Sequence, residues 1–264
     1  MANVKVLENP NELESAINEF VLANQNIKIK VKKSCYETRL LKEADVPSLR
    51  ELEIEKWGVN GFTNENLQSI IKLAPEYSWG YFDQTSHKIL GSCFVMGKSK
   101  DQILNSKDWF ETTDNGFATS HDKKSKTWFG MSLSSSNDEA VLAILIEVLS
   151  KVLKDGIKEI YLGAPITGFH NWARKNPNQT VNDYIKLFRT SNNKNKHIDP
   201  LLAYYMHYGF EIVCAKENYF PYESADNYGV LIKFKNPIWF LSPIIKLIPK
   251  SIFEKIMAKV STYY

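Results

Sequence analysis

The sequence is poor in cysteine. Its 264 residues hold three, Cys35, Cys93 and Cys214, far apart and without a Cys-x-x-Cys spacing. That excludes a disulfide framework and a zinc-finger type of metal site, and makes a reducing cytoplasm the default setting. An excess of one charge is also missing. The net charge of +3 is too slight to mark a nucleic-acid binder. No run of about 18 unbroken apolar residues occurs, so no membrane span is expected. The first residues show no charged-then-apolar leader pattern, and no internal repeat is visible. The sequence does have the composition of a globular chain, 44% hydrophobic and 24% charged, at a length suited to one large domain or one domain with additions.

The densest pattern lies between Thr127 and Pro165. An aromatic, apolar run, Trp128 to Leu133, reads as a buried strand. The polar cluster Ser134-Ser135-Ser136-Asn137-Asp138-Glu139 follows. Ala140 to Asp155 is then apolar around most of a helix, with Glu147, Lys151 and Lys154 on one narrow stripe, and such a helix is expected to be deeply buried against a sheet. Gly156 is its stop, and Glu159 to Gly163 is a second strand. A strand, turn, helix and strand in this order predict a parallel pair with a right-handed crossover. The turn has two readings. Ser136 or Asn137 is an ordinary N-cap with acidic residues in the first turn, or the helix N-terminus meets an anion.

On the N-terminal side, residues 1–35 form a polar extension, with helical spacing over 11–23 and alternation over 27–31. A strand at Arg39-Leu40-Leu41 leads to a helix through Leu49, Leu52, Ile54 and Trp57, stopped by Gly58. Thr63 opens a second helix that ends near Pro75. Ser78 to Phe82 and Lys88 to Met96 predict a hairpin. Residues 101–126 are polar with scattered aromatics and are expected to form a long loop or insertion. On the C-terminal side, Ala164 to Trp172 leaves the strand through Pro165 and Gly168. Val181 to Phe188 is a short helical run, and Ser191 to Lys196 is expected to be an exposed loop. Asp199 as N-cap and Pro200 at the first position start a helix that Gly209 ends. Strands at 210–214 and 228–234 follow, closed by Asn236-Pro237. The apolar, lysine-studded tail 238–264 is either a helical pair on the body or an amphipathic element that meets a membrane surface or an acyl chain.

The order of elements resembles the GNAT acyltransferase superfamily. The likeness is carried by Asp199-Pro200 and by Tyr205, placed four residues before Gly209-Phe210. It extends through Gly163 to His170, Asn218-Tyr219-Phe220-Pro221, Tyr228-Gly229 and Asn236-Pro237. The wider run is similar to a GNAT subgroup that also occurs fused to carbon–nitrogen hydrolases. The resemblance spans roughly 36–237. It implies an α/β (α+β) fold: a mixed, mostly antiparallel twisted sheet whose central parallel pair splays, flanked by helices.

The resemblance also implies transfer of an acyl group from a thioester to an amine of a small molecule or peptide. Tyr205 would protonate the leaving thiolate, and His170 or Glu55 would be the general base. Met131, Leu133, Ser134, Ser135, Ser136, Asn137, Asp138, Ala140, Asp199 and Leu202 would hold the donor, with no metal. Trp57, Phe62 and Trp128 are candidates for the acceptor or acyl pocket, or for the core. One departure from the family is plain. The phosphate turn lacks glycine and any cation, and Asp138 and Glu139 put negative charge where a pyrophosphate would sit. The donor is then acyl-coenzyme A with altered contacts, or the phosphopantetheine of an acyl carrier protein. In the alternative reading, the chain is a non-catalytic module that binds an acyl chain, a carrier protein or a membrane surface.

Overall fold

The computed structural model describes residues 35–191, 194–220 and 227–248. The patterns read over 11–23 and 27–31, and the tail from 249 onward, lie outside the described residues. The elements of the unit 36–246 run β1 (Tyr36–Leu40), α1 (Val46–Trp57), α2 (Asn64–Leu73), β2 (Ser78–Asp83), β3 (Ile89–Gly97), α3 (Lys100–Asn105), α4 (Trp109–Thr112), β4 (Thr127–Ser135), α5 (Asp138–Asp155), β5 (Glu159–Pro165), α6 (Phe169–Lys175), α7 (Val181–Tyr184), β6 (Phe188–Ser191), β7 (Lys194–His197), α8 (Pro200–His207), β8 (Glu211–Lys216), β9 (Gly229–Lys235) and α9 (Ser242–Ile245).

Helix ends fall where the capping residues stand. The Thr63 hydroxyl accepts from the Asn66 N–H at 3.3 Å, and the Asn137 side-chain oxygen from the Ala140 N–H at 2.8 Å. Gly58 and Gly156 stop α1 and α5 at φ of 59° and 63°. The strands form a sheet in the order β1-β2-β3-β4-β5-β9-β8. Among the described residues β4–β5 is the parallel pair and every other neighbour in that sheet is antiparallel. The helix between β4 and β5 supplies the crossover that a parallel pair requires. On one face α1 and α2 cover a core built on Leu49, Leu67, Phe94, Met96, Phe129 and Tyr161. On the other, α5 covers Trp79, Cys93, Val95, Trp128 and Ile160. A third cluster under α6 and α8 joins Ile166, Phe169, Tyr184, Leu202 and Val230.

The structure corrects three expectations. Helix α5 is not deeply buried. Ala140, Ile144, Val148 and Val152 form one stripe on the sheet, while Leu142 is 45% exposed and Leu145, Ile146 and Leu149 are half-buried. Residues 101–126 are not a loose loop. Buried Lys98 donates to the Thr112 carbonyl at 2.7 Å, and Lys216 caps the C-terminal carbonyls of α3 at Leu104 (2.9 Å) and Ser106. Helices α3 and α4 are too short to print a helical period on the sequence. In the 191–196 stretch, Ser191 ends β6 and Lys194 to Lys196 lie in β7, which pairs antiparallel with it, so the described residues there are strand and not loop. Its Asn/Lys composition shows no alternation, but the Phe188 and His197 rings meet at 5.3 Å at its base. Beyond β5 the chain turns at Gly168 into α6. The start of the tail folds on the body, with Leu241 and Ile245 buried and the Trp239 ring under the Lys158 ammonium at 4.2 Å.

Asp199 holds this last part together. It is fully buried. One carboxylate oxygen accepts from the Leu201 and Leu202 N–H groups, and the other from the Gly168 N–H at 3.1 Å and the Tyr184 hydroxyl at 3.0 Å. Asp199→Ala removes a cap and strands a buried hydroxyl, so it should cost about 2–4 kcal/mol. Urea unfolding followed by circular dichroism measures the loss, and Asp199→Asn should recover part of it.

Candidate active site

The central feature is the place where β4 and β5 part. They pair in parallel from Thr127 with Glu159 to Gly130 with Leu162, and there the ladder stops. Both strands continue on other partners: β4 with β3 to Ser135, and β5 with β9 to Pro165. A bulge lies at the parting. Val95 faces Gly130 while Phe94 faces Ser132, so Met131 is an extra residue in β4. A bulge bends its strand and leaves backbone groups unpaired. Gly130 at the last rung leaves room for the tip of the Leu162 side chain, which a Cβ there would displace.

On the α1 face a buried polar network stands beside the gap. Glu53 of α1 is 1% exposed. Its carboxylate accepts from the Ser134 hydroxyl at 2.8 Å and from the Phe62 N–H at 3.2 Å. The Trp57 indole N–H donates to the same Ser134 oxygen at 2.7 Å, and the Ser132 hydroxyl lies 3.5 Å from it. Burial pushes the Glu53 carboxyl above the usual carboxylate range, against the pull of the Ser134 hydroxyl, the Phe62 N–H and the Arg50 charge. Ser92 pairs with Ser134 across β3 and β4, and its hydroxyl is buried without a partner.

Aromatic side chains cover the closed end of the gap on that face. Trp109, from the insertion, donates its indole N–H to the Met131 carbonyl at 3.1 Å, the group that the bulge frees. The Trp109 backbone N–H donates to the Tyr219 carbonyl at 3.3 Å. The Tyr219 and Phe220 rings lie over Gly163, where a Cβ would come within 2.5 and 2.9 Å of them.

Tyr205 approaches from the opposite face. Helix α8 packs on β5, and the Tyr205 ring sits against Phe210 at 5.6 Å, on the cluster under that helix. Its ring is partly exposed, while burial of the hydroxyl, and then Cys93, raises its pKa and keeps it protonated.

The remaining expected site residues are spread out. Glu55 is on the solvent side of α1, paired with Lys56 at 2.7 Å, and takes no part in the Ser134 network. His170 is half-buried in the first turn of α6, just beyond β5. Met131 and Ser134 flank the gap, and Leu133, between Ser132 and Ser134, packs toward α5. Ser135 accepts from the Asn137 N–H at 3.1 Å, Asn137 caps α5, Ser136 and Asp138 are exposed, and Ala140 is buried. Asp199 and Leu202 are fully buried in the fold. Phe62 is core and touches Trp109, and Trp128 is buried on the α5 face. Glu53 was not among the expected residues; the signal for it is its place four residues after Leu49, on the same face of α1. Among the described residues no cluster of three or more His, Cys, Asp or Glu could hold a metal ion, and no helix is long and apolar enough to cross a membrane.

No protein-family model matches the chain. A probable hydrolase of Bacillus subtilis, YhcX, is 23% identical over 205 residues, covering 75% of this chain. The match takes in 38% of that relative, so the chain spans about two fifths of its length. Among solved structures, the loading GNATL domain of CurA from Lyngbya majuscula superposes with a TM-score of 0.62 at 17% identity, covering 76% of this chain and 97% of that domain. The GphF GNAT-like decarboxylase in complex with isobutyryl-CoA gives 0.59 at 17% identity, covering 75% and 98%. Malonyl-CoA decarboxylase from Agrobacterium vitis gives 0.53 at 14% identity, covering 78% and 62%. At these identities the likeness speaks to architecture: the chain carries a GNAT-like fold.

Proposed function

We propose that the chain is an acyltransferase that takes an acyl group from a thioester held between β4 and β5. The observation that carries this reading is the Glu53–Ser134 dyad beside the gap, with Tyr205 on the helix that packs against β5 from the opposite face. An amine attacks the thioester carbonyl from the α1 face. Its proton passes to the Ser134 hydroxyl as Ser134 gives its own to Glu53. A carboxylate made more basic by burial suits that role. The C–S bond breaks and Tyr205 protonates the thiolate. Glu53, rather than Glu55 or His170, is the base in this reading.

The donor is an acyl-coenzyme A or the phosphopantetheine arm of a carrier protein. At the α5 N-terminus, Asn137 already caps a free N–H, and Asp138 and Glu139 answer the helix dipole. Glu139 is held by the Tyr81 hydroxyl at 2.9 Å. A diphosphate gains little at such a turn. Neutralising both carboxylates, Asp138→Asn with Glu139→Gln, should tighten acetyl-coenzyme A about tenfold, the worth of two terminal charges, and leave S-acetyl-pantetheine unchanged. Calorimetry with both ligands reads the difference.

A second reading is decarboxylation of a β-carboxyacyl thioester, which needs no acceptor. It is favoured by the aromatic cover over the α1 side of the gap and by two similar folds described as decarboxylases. Conversion of malonyl-coenzyme A to acetyl-coenzyme A without an amine would select it.

Tyr205→Phe should lower turnover about a hundredfold with donor affinity near wild type. Unchanged turnover would remove Tyr205 from the mechanism. Glu53 acts as a base only when ionised, so the rate should rise with pH through a value above the ordinary carboxylate range, about 4.3. Glu53→Gln should abolish that limb of the profile. Stability follows the opposite sign. Neutral Glu53 is the form the fold accepts, so its contribution is full below the unfolded carboxylate's range and is lost as pH rises through the folded value. Glu53→Gln should therefore flatten the fall in melting temperature between acidic and neutral pH.

A further inference from the structure

We infer that the same site accepts water, so that the chain hydrolyses acyl thioesters when no amine is present. This rests on the thioester reading above and adds to it a second activity with a different nucleophile. Two independent observations carry it. The first is the cover. Trp109 sits on the Met131 carbonyl and the Tyr219 and Phe220 rings lie over Gly163, so both strands are overlaid at the closed end of the gap on the α1 face. A small nucleophile passes such a cover more readily than a bulky amine. The second is the Ser92 hydroxyl. It is fully buried and unpartnered, and it stands across the β3–β4 ladder from Ser134. A buried hydroxyl without a partner is costly, and a small polar guest between polar side chains removes that cost. Ser92 and the Ser134–Glu53 dyad form such a polar setting on the face from which the carbonyl is attacked.

The chemistry balances without another reactant. The water oxygen bonds to the thioester carbonyl carbon. One of its protons goes to the Ser134 oxygen while the Ser134 proton moves to Glu53 along the 2.8 Å hydrogen bond. The tetrahedral adduct then collapses, the C–S bond breaks, and the sulfur takes the Tyr205 proton. The products are a carboxylic acid and a free thiol. The proton on Glu53 returns to Tyr205 through solvent, which restores both groups. Ser92 is a positioning residue in this step. It holds the water and exchanges no proton with the thioester.

The test uses the full chain with S-acetyl-pantetheine and acetyl-coenzyme A as probes and no amine. Thiol release is followed by a colorimetric disulfide reagent, and the acetate formed in heavy-oxygen water is examined by mass spectrometry. The expected result is thiol release well above the spontaneous rate, with label in the acetate. Glu53→Gln should cut release about a hundredfold. Ser92→Ala should cut it about tenfold with probe affinity unchanged, and should leave transfer to an added amine less affected than hydrolysis. Circular dichroism confirms folding of each variant, and Ser92→Thr, which keeps the hydroxyl, should restore release. Probe binding without thiol release above background overturns the inference, as does a Glu53→Gln rate equal to wild type or acetate free of label. Release of carbon dioxide from malonyl-coenzyme A with its thioester intact overturns it in favour of decarboxylation. Failure of both probes to bind rejects the thioester reading itself, and the inference with it.

Discussion

The structure depends on one steric and hydrogen-bonding constraint, the bulge at Met131. A regular β4 would continue its parallel ladder with β5 beyond Gly130 and Leu162. The extra residue breaks the register with β3, bends the strand and lets the two central strands part. The rest of the site follows from that parting. The freed Met131 carbonyl finds Trp109, and the strand beyond the bulge turns Ser132 and Ser134 toward α1. Without the bulge the sheet would be closed at this point.

The polar groups on the α1 face are held by their environment. A carboxylate as buried as Glu53 is expensive unless it is hydrogen-bonded, and its two oxygens have a hydroxyl and a backbone N–H respectively. Trp57 adds a donor to the Ser134 oxygen, which fixes the direction of the serine proton toward Glu53. The indole is partly exposed, so it also forms the boundary between this network and solvent. Rigid placement of this kind is what general acid–base chemistry requires of its groups.

Much of the architecture was legible because it is written in local rules. Thr63, Asn137 and Asp199 cap helices where their side chains promise to, Gly58 and Gly156 stop them, and the 127–165 unit pairs in parallel as a strand–helix–strand must. The site was less legible. A bulge adds one residue to a strand and leaves no mark on its hydrophobic pattern, so the position of the parting was hidden. Glu53 and Glu55 both lie on α1, whose apolar residues mark no clear buried face, and only the packing of α1 on β3 and β4 tells which is inside. Asp199 and Leu202 stand in a recognisable motif, but the motif serves the start of α8 and the seat of Gly168. Trp109 lay in a segment whose polarity suggested a loop. Its order comes from two lysines, Lys98 and Lys216, which satisfy carbonyls that no local sequence rule would pair with them.

The two indole N–H bonds have an optical consequence. Trp57 and Trp109 each place the polar edge of a fluorophore against the gap, one on a serine hydroxyl and one on a strand carbonyl. Indole emission shifts with the strength of that hydrogen bond and with the water around the ring. A molecule entering the gap would exchange both, which makes the two indoles intrinsic reporters placed at two points along the cleft.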